Sequence, residues 1–379
     1  MNPQRRALLL SLALLPLAAS TPSYAGLLDG GDPKRVEAVP FDFDAAINNP
    51  GSIAGDYFGT HTTQSLAGLK KVIIPSFQVR FCLRDDVART STFSTASFSS
   101  WSSKSAGVTV DLPEEVRQQL TDELYERVVQ RLAALGVEVV PIPRDLDLPE
   151  LQAGIKAMPP SGHIEDLTNA AQRTSKKEKQ DADSWLYPWA IHYPSQVTAV
   201  AYSGISEAMP PFMSWLREAE MPQMPISTMK IGKAMGTGIL TLGFEVRLEK
   251  MAFERGSFLG KGATINAEPV LRTRLLGAKL VPDDGGYKPV AVGMGGGRLF
   301  PGMNYNGFGI QPIATIMGSP KHGDFPWIEM NGSYGPVVGS GEDGRWLLKP
   351  EPEALAKDFR QITDAQLSLI FHLIEAAKK

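Results

Sequence analysis

Cysteine is almost missing from this chain of 379 residues. Cys82 stands alone, so no intramolecular disulfide can form and the core must hold the fold by itself. Histidine is scarce too: His61, His163, His192, His322 and His372 are the five, and none lies within 28 residues of another. That spacing excludes the local His-x₃-His and His-Glu-x₂-His patterns of zinc sites. Charge is nearly balanced, 38 basic against 41 acidic residues, which leaves no electrostatic drive toward nucleic acid. A Gly-x-Ser-x-Gly elbow is also lacking. Gly256-Ser-Phe-Leu-Gly260-Lys261-Gly262 has one residue too few for a phosphate loop, and Gly262 stands where Ser or Thr should meet magnesium. Gly293-Met-Gly-Gly-Gly297 lacks the third glycine of a dinucleotide fingerprint. No catalytic, cofactor-binding or metal-ligating residue is therefore assigned, and no cofactor is expected.

What the chain does carry begins at its front. Arg5-Arg6 precedes an apolar run from Ala7 to Ala19, and small residues stand at Ser23 and Ala25. These are the three parts of a secretory signal peptide, with cleavage expected between Ala25 and Gly26. The run falls short of the roughly 20 residues that a bilayer-spanning helix needs. Cleavage removes two arginines and no acid, moving the net charge from −3 to −5. Without a cysteine near the cut, a lipid anchor is not expected. The paired arginines also fit loosely a twin-arginine leader. The expected location is periplasmic or secreted.

Beyond the leader, the pattern predicts an α+β fold. Residues 26–65 read as an irregular lead-in and 66–290 as the core domain. Residues 291–352 read as Gly/Pro-rich and irregular, and 353–379 as C-terminal helices. Phe77, Val79, Phe81 and Leu83 alternate with polar residues as in a half-buried strand. Asp111 is placed to cap a helix in which Val116, Leu120, Leu124, Val128, Leu132 and Leu135 make one stripe, stopped by Gly136. A short strand at 137–140 completes a split βαβ unit over 70–141. A strand is expected at 196–202 and a short helix at 210–220. A long hairpin spans 238–281, with Leu240, Leu242, Phe244, Val246 and Leu248 on one side and Glu245, Arg247 and Glu249 on the other. Leu355, Phe359 and Ile362, then Thr363-Asp-Ala-Gln366 as a capping box, end the chain in helix. The whole makes a mixed, largely antiparallel sheet with helices on one face.

Two aromatic groups are the candidate interaction surface. Between 90 and 105, 11 of 16 residues are Ser or Thr, interleaved with Phe93, Phe98 and Trp101. Those rings make a hairpin or loop with something apolar to touch, where Ser and Thr alone would make a linker. The second group is Trp185-Leu-Tyr187-Pro-Trp189, readable as a packed corner or as an aromatic-lined sugar or peptide site. The 238–281 hairpin has two readings as well: a soluble sheet, or a membrane β-hairpin with Glu245, Arg247, Glu249, Arg272 and Arg274 lining a lumen.

The order of an exported leader, Val72-Ile-Ile-Pro-Ser-Phe77, the 120–135 helix, Val137–Val140, Arg144-Asp-Leu146, Val197–Gly204 and Gly238–Met251 resembles the periplasmic domain of the curli-secretion channel and related envelope assembly proteins. The likeness covers roughly residues 70–280. The lipidated cysteine of that family has no counterpart here. The resemblance implies an α/β domain with extruded hairpins, other envelope proteins or further copies of the chain as partners, and outer-membrane association. It carries over no catalytic residue. The expected role is a non-enzymatic binding or assembly module of a periplasmic or outer-membrane complex. The alternatives are a periplasmic hydrolase, marked by His192 or His322 meeting a Ser or carboxylate, and an oligomeric pore subunit.

Overall fold

A computed structural model of the chain describes residues 38–62, 66–95, 98–166, 188–200, 226–254, 264–281, 290–292, 307–309, 314–318, 326–332, 334–340 and 345–379. The leader with Ala25 and Gly26, Trp185, Tyr187, His322 and the helix expected at 210–220 lie outside them. In order come β1 (Ala38–Val39), α1 (Phe43–Asn48), a 3₁₀ turn (Pro50–Ser52), α2 (Ala54–Tyr57), β2 (Phe58–Thr62), β3 (Lys71–Cys82), β4 (Arg84–Thr95) and β5 (Phe98–Val110). Then follow α3 (Glu114–Ala134), β6 (Glu138–Val139), α4 (Pro149–Ala157), β7 (His163–Asp166), β8 (Pro188–His192), α5 (Ile226–Met235), β9 (Gly238–Glu254) and β10 (Thr264–Val281). The chain closes with β11 (Val290–Val292), β12 (Gly307–Gly309), β13 (Ala314–Gly318), β14 (Trp327–Asn331), β15 (Val337–Ser340), β16 (Arg345–Leu348) and α6 (Pro352–Lys378).

The fold is α+β. Period-two alternation makes β9 and β10 the longest ladder, paired antiparallel from Glu254–Thr264 to Ile239–Val281. β3 lies parallel to β9 and, on its other side, takes β8 antiparallel, giving the order β1-β14-β10-β9-β3-β8-β7. β3 also pairs parallel with β6 at Lys71–Glu138 and Val72–Val139, which closes the split βαβ unit. Pro75 has no N–H to give the ladder, and the β3–β9 register shifts between Ile73 and Ser76. β15-β16-β5-β4 form a second sheet, and the single residue Leu83 separates β3 of the first from β4 of the second. No described sheet closes into a barrel.

Side chains from one face of the large sheet, Phe77, Phe81, Phe244 and Leu275 among them, pack against the apolar stripes of α3 and α6. Gly136, at φ +71°, ends α3 in the left-handed region that glycine adopts without strain. Asp111 does not cap that helix: Pro113 holds the cap position, and the Asp111 N–H goes to the Leu348 carbonyl. Three arginines knit the two helices together. Arg127 reaches Asp364 (2.8 Å) and Thr363 (2.9 Å), Arg131 reaches Ser368, and Arg360 grips Glu123 through two nitrogens. On the other face, Ile73, Ile239 and Val281 meet Ile142, Leu151 and Ile231, so the short α4 and α5 cover one end of the sheet.

Four further expectations change. Residues 38–62 are no irregular lead-in: Asp42 accepts the Ala45 N–H at 2.9 Å to start α1, and β1 and β2 pair with β14 and β13. The Gly/Pro-rich stretch contributes β13 and β14 to the large sheet, with Trp327 and Ile328 buried. No strand forms over 196–200, where a turn from Pro194 to Val197 interrupts the chain; the strand is β8, just before it. Thr363 and Gln366 open no second helix. α6 runs through them because the Thr363 hydroxyl back-bonds to the Phe359 carbonyl and Gln366 is drawn to Thr273.

Candidate interaction site

The Ser/Thr-rich segment is a hairpin with an uninterrupted register. Twelve pairs join β4 to β5, from Arg84–Thr109 to Thr95–Phe98. β16 supports only Gly107 to Val110 of the outer edge of β5. Beyond that root, nine pairs, from Val87–Ala106 to Thr95–Phe98, have no further strand beside them among the described residues. At about 3.4 Å per residue this arm is about 30 Å long. In the β4–β5 register Phe93 pairs with Ser100, Phe98 with Thr95 and Trp101 with Thr92. Arg89 pairs with Lys104 nearer the root. A second ladder with no further strand beside it among the described residues tops the β9–β10 hairpin. Its five outer pairs alternate Lys250–Glu268, Ala252–Asn266 and Glu254–Thr264 with Met251–Ala267 and Phe253–Ile265.

Trp189 lies elsewhere. It is 4% exposed, packed with Cys82, Trp327 and Ala38 on the face of the sheet turned away from α3 and α6. The charged residues of the hairpin are on that face; Glu245, Glu249 and Arg272 are buried, and Arg247 and Arg274 are partly so. Arg247 is stacked between two indoles, 5.2 Å from the Trp189 ring and 5.5 Å from Trp327, while Arg274 sits 5.0 Å over Trp327. Glu245 accepts from Arg274 across the β9–β10 register and lies 3.8 Å from Arg80. Arg247 reaches Asp85 at the arm root (3.4 Å) and Glu249 (3.7 Å). Interleaved opposite charges keep this layer buried at tolerable cost, since each guanidinium meets a carboxylate or a ring. Cys82 shares the layer, donates to the Arg84 carbonyl at 3.3 Å, and has its thiol pushed up by burial. Such a thiol is inert.

His192 faces the other way, into the α3 side of the sheet, edge-on to Phe81. Arg117 Nε donates to its Nε2 at 3.0 Å, and Nδ1 lies 3.3 Å from Gln118 Oε1, an arrangement that needs a neutral ring protonated on Nδ1. Burial first, then the Arg117 charge, lowers its pKa to about 4. Ser161 hydrogen-bonds Gln118, not the imidazole. Both ring nitrogens are therefore committed to structural partners, with neither a serine nor a carboxylate among them.

The outer face of α3 carries an open groove lined by Glu114, Glu115, Gln118, Asp122, Glu123 and Glu126. No cluster of His, Cys, Asp and Glu suited to a metal ion occurs among the described residues. No described helix is long and apolar enough to cross a membrane. Sequence reasoning missed Trp327 and the burial of the charged row. The available signal was a single facing pair, Glu245 with Arg274; Arg247 faces Arg272 and Glu249 faces Pro269. No family model, no curated protein and no solved structure matches this chain.

Proposed function

We propose that this chain is an exported, non-enzymatic assembly module of the bacterial cell envelope, working through the β4–β5 arm and the tip of the β9–β10 hairpin. The observation that carries this reading is the arm itself: nine strand pairs with both edges unsupported among the described residues. Exposed backbone edges are templates for pairing with another chain, and β-addition is a recurring mode of recognition. The Ser- and Thr-rich composition suits a soluble arm, and Phe93, Phe98 and Trp101 are its candidate apolar anchors. Export is supported by Arg5-Arg6, the apolar run and Ala25.

A chain shortened by residues 90–103, closed with an Asn-Gly turn, keeps the arm root and its β16 pairs. The reading expects the full chain to elute from a gentle envelope extract well above monomer mass and the shortened one to elute as a folded monomer. Equal masses for the two would remove the arm from assembly.

The alternation of Met251–Ala267 and Phe253–Ile265 with polar pairs favours a second reading, in which the β9–β10 tip inserts into the outer membrane as part of an oligomeric pore. Its described free ladder has five pairs, against about 9–11 residues per spanning strand. Detergent-resistant rings in the outer-membrane fraction would favour the pore; recovery in the soluble periplasmic extract would favour the module.

A further inference from the structure

Glu249 sits where several strands bring charge together. It is 0% exposed on β9. Arg247 faces it from the same strand, Asp85 from β4, Arg272 from β10, Cys82 from β3, and Tyr334 from the chain after β14. Glu329, on β14, acts on Arg272 and Tyr334 and takes Lys250 for itself at 2.9 Å. Arg272 donates to the Glu249 backbone oxygen, and the Tyr334 hydroxyl donates to the Leu248 carbonyl. The Glu249 carboxyl is left with the Leu248 N–H on Oε2 (3.1 Å), while Oε1 is buried and accepts no hydrogen bond among the described residues. One guanidinium nitrogen, Arg247 Nη1, therefore serves two carboxylates from two different hairpins, at 3.4 Å and 3.7 Å.

Asp85 is no peripheral partner. It pairs in register with Val108, which pairs in turn with Trp346 of β16, so it marks the root from which the arm leaves the body. The contact between Asp85 and Arg247 thus ties the arm root to the central hairpin. We propose that Glu249, Asp85 and Arg247 form a protonation-controlled latch at the root of the β4–β5 arm. With Glu249 neutral, Arg247 belongs to Asp85 and holds β4 against β9. When Glu249 gives its proton to solvent, the guanidinium is divided between two carboxylates that repel each other, and the root loosens. The latch lies within one chain and does not depend on what the arm meets.

Burial, reinforced by the Asp85 charge, pushes the Glu249 carboxyl up from 4.5 to about 7, with Arg247 and Arg272 pulling the other way. Its folded value exceeds its unfolded one, so its stabilising contribution is complete below about 4.5 and is lost as pH rises through about 7. Hydrogen–deuterium exchange on the full chain between pH 5.5 and 8.5, normalised at each pH to the unstructured exchange rate, tests the latch. Peptides covering 84–90 and 105–110 should lose protection roughly tenfold with a midpoint near 7. Glu249→Gln should stay protected throughout, and Asp85→Asn should be weakly protected throughout. Constant protection in the wild-type chain, or an unchanged transition in Glu249→Gln, overturns the proposal. If Glu249→Gln does not fold, infrared spectroscopy of the wild-type chain decides: a buried carboxyl band should vanish near pH 7 and shift to lower pH in Asp85→Asn. Absence of any carboxyl titrating above about pH 5.5 overturns the latch equally.

Discussion

Protonating His192 should destabilise the protein by an amount the structure sets. The ring is 0% exposed and already accepts the Arg117 Nε–H on the nitrogen that a proton would need. Its folded pKa of about 4 lies below the ordinary 6.5, so the unfolded chain takes up the proton first as pH falls. Stability from this residue is therefore fully present above about 6.5 and is lost as pH drops through about 4. The gap between the two values corresponds to a loss of about 3 kcal/mol. Urea unfolding of the wild-type chain and of His192→Gln, at intervals from pH 7.5 to 4, measures it. Gln keeps an oxygen for Arg117 and never titrates, so any constant cost of the substitution drops out of the comparison. The rise in Glu249 contribution over the same range is common to both chains and cancels too. The wild-type advantage should shrink by about 3 kcal/mol across the range. Parallel profiles would refute the assignment of a neutral, Arg117-bound imidazole.

Other consequences are as direct. Thr273 and Gln366 are both buried, with the threonine hydroxyl donating to Gln366 Oε1 at 2.9 Å; Thr273→Val should cost about 1–3 kcal/mol in thermal or urea unfolding. Adding Gln366→Leu to that variant should cost less than the two single changes summed, because the stranded partner is removed with it. Cys82, buried and with its thiol pushed up, should resist an aromatic disulfide reagent at pH 8 in the folded chain and react at once in denaturant. Rapid labelling without denaturant would contradict its burial.

The parts of the fold that were legible are those whose stability is local or strictly periodic. The stripe from Leu120 to Leu132 needs only the 3.6-residue turn, and the alternation of Leu240 through Leu248 needs only a strand, so both are visible in the residues themselves. β14 was not visible. Trp327-Ile-Glu-Met-Asn331 is five residues long amid glycine and proline, and it becomes a strand through its distant partners on β10 and β1. The Thr363–Gln366 box failed for a related reason. A buried Thr and Gln can satisfy themselves against Phe359 and Thr273, and nothing local distinguishes that from a helix start. What covers the charged row was not legible because alternation reports only which residues share a face. That Glu245 meets Arg274 and that Arg247 lies between two tryptophans depends on four strands far apart in the chain. The aromatic reading divided in the same way. Phe93, Phe98 and Trp101 are on the hairpin expected of them, whereas Trp189 is a wall of the buried layer.

The claim that the arm is the assembling element can be tested at the arm itself. A photo-activated cross-linker replacing Thr92 or Ser100, one on each strand of the free ladder, should yield an adduct heavier than the chain when intact cells are irradiated. The same probe at Arg345, at the end of β16, serves as the reference position on the body. Adducts at both arm positions and none at the reference are the predicted result. No adduct at either arm position, in cells where the chain has been exported and is folded, would contradict the account.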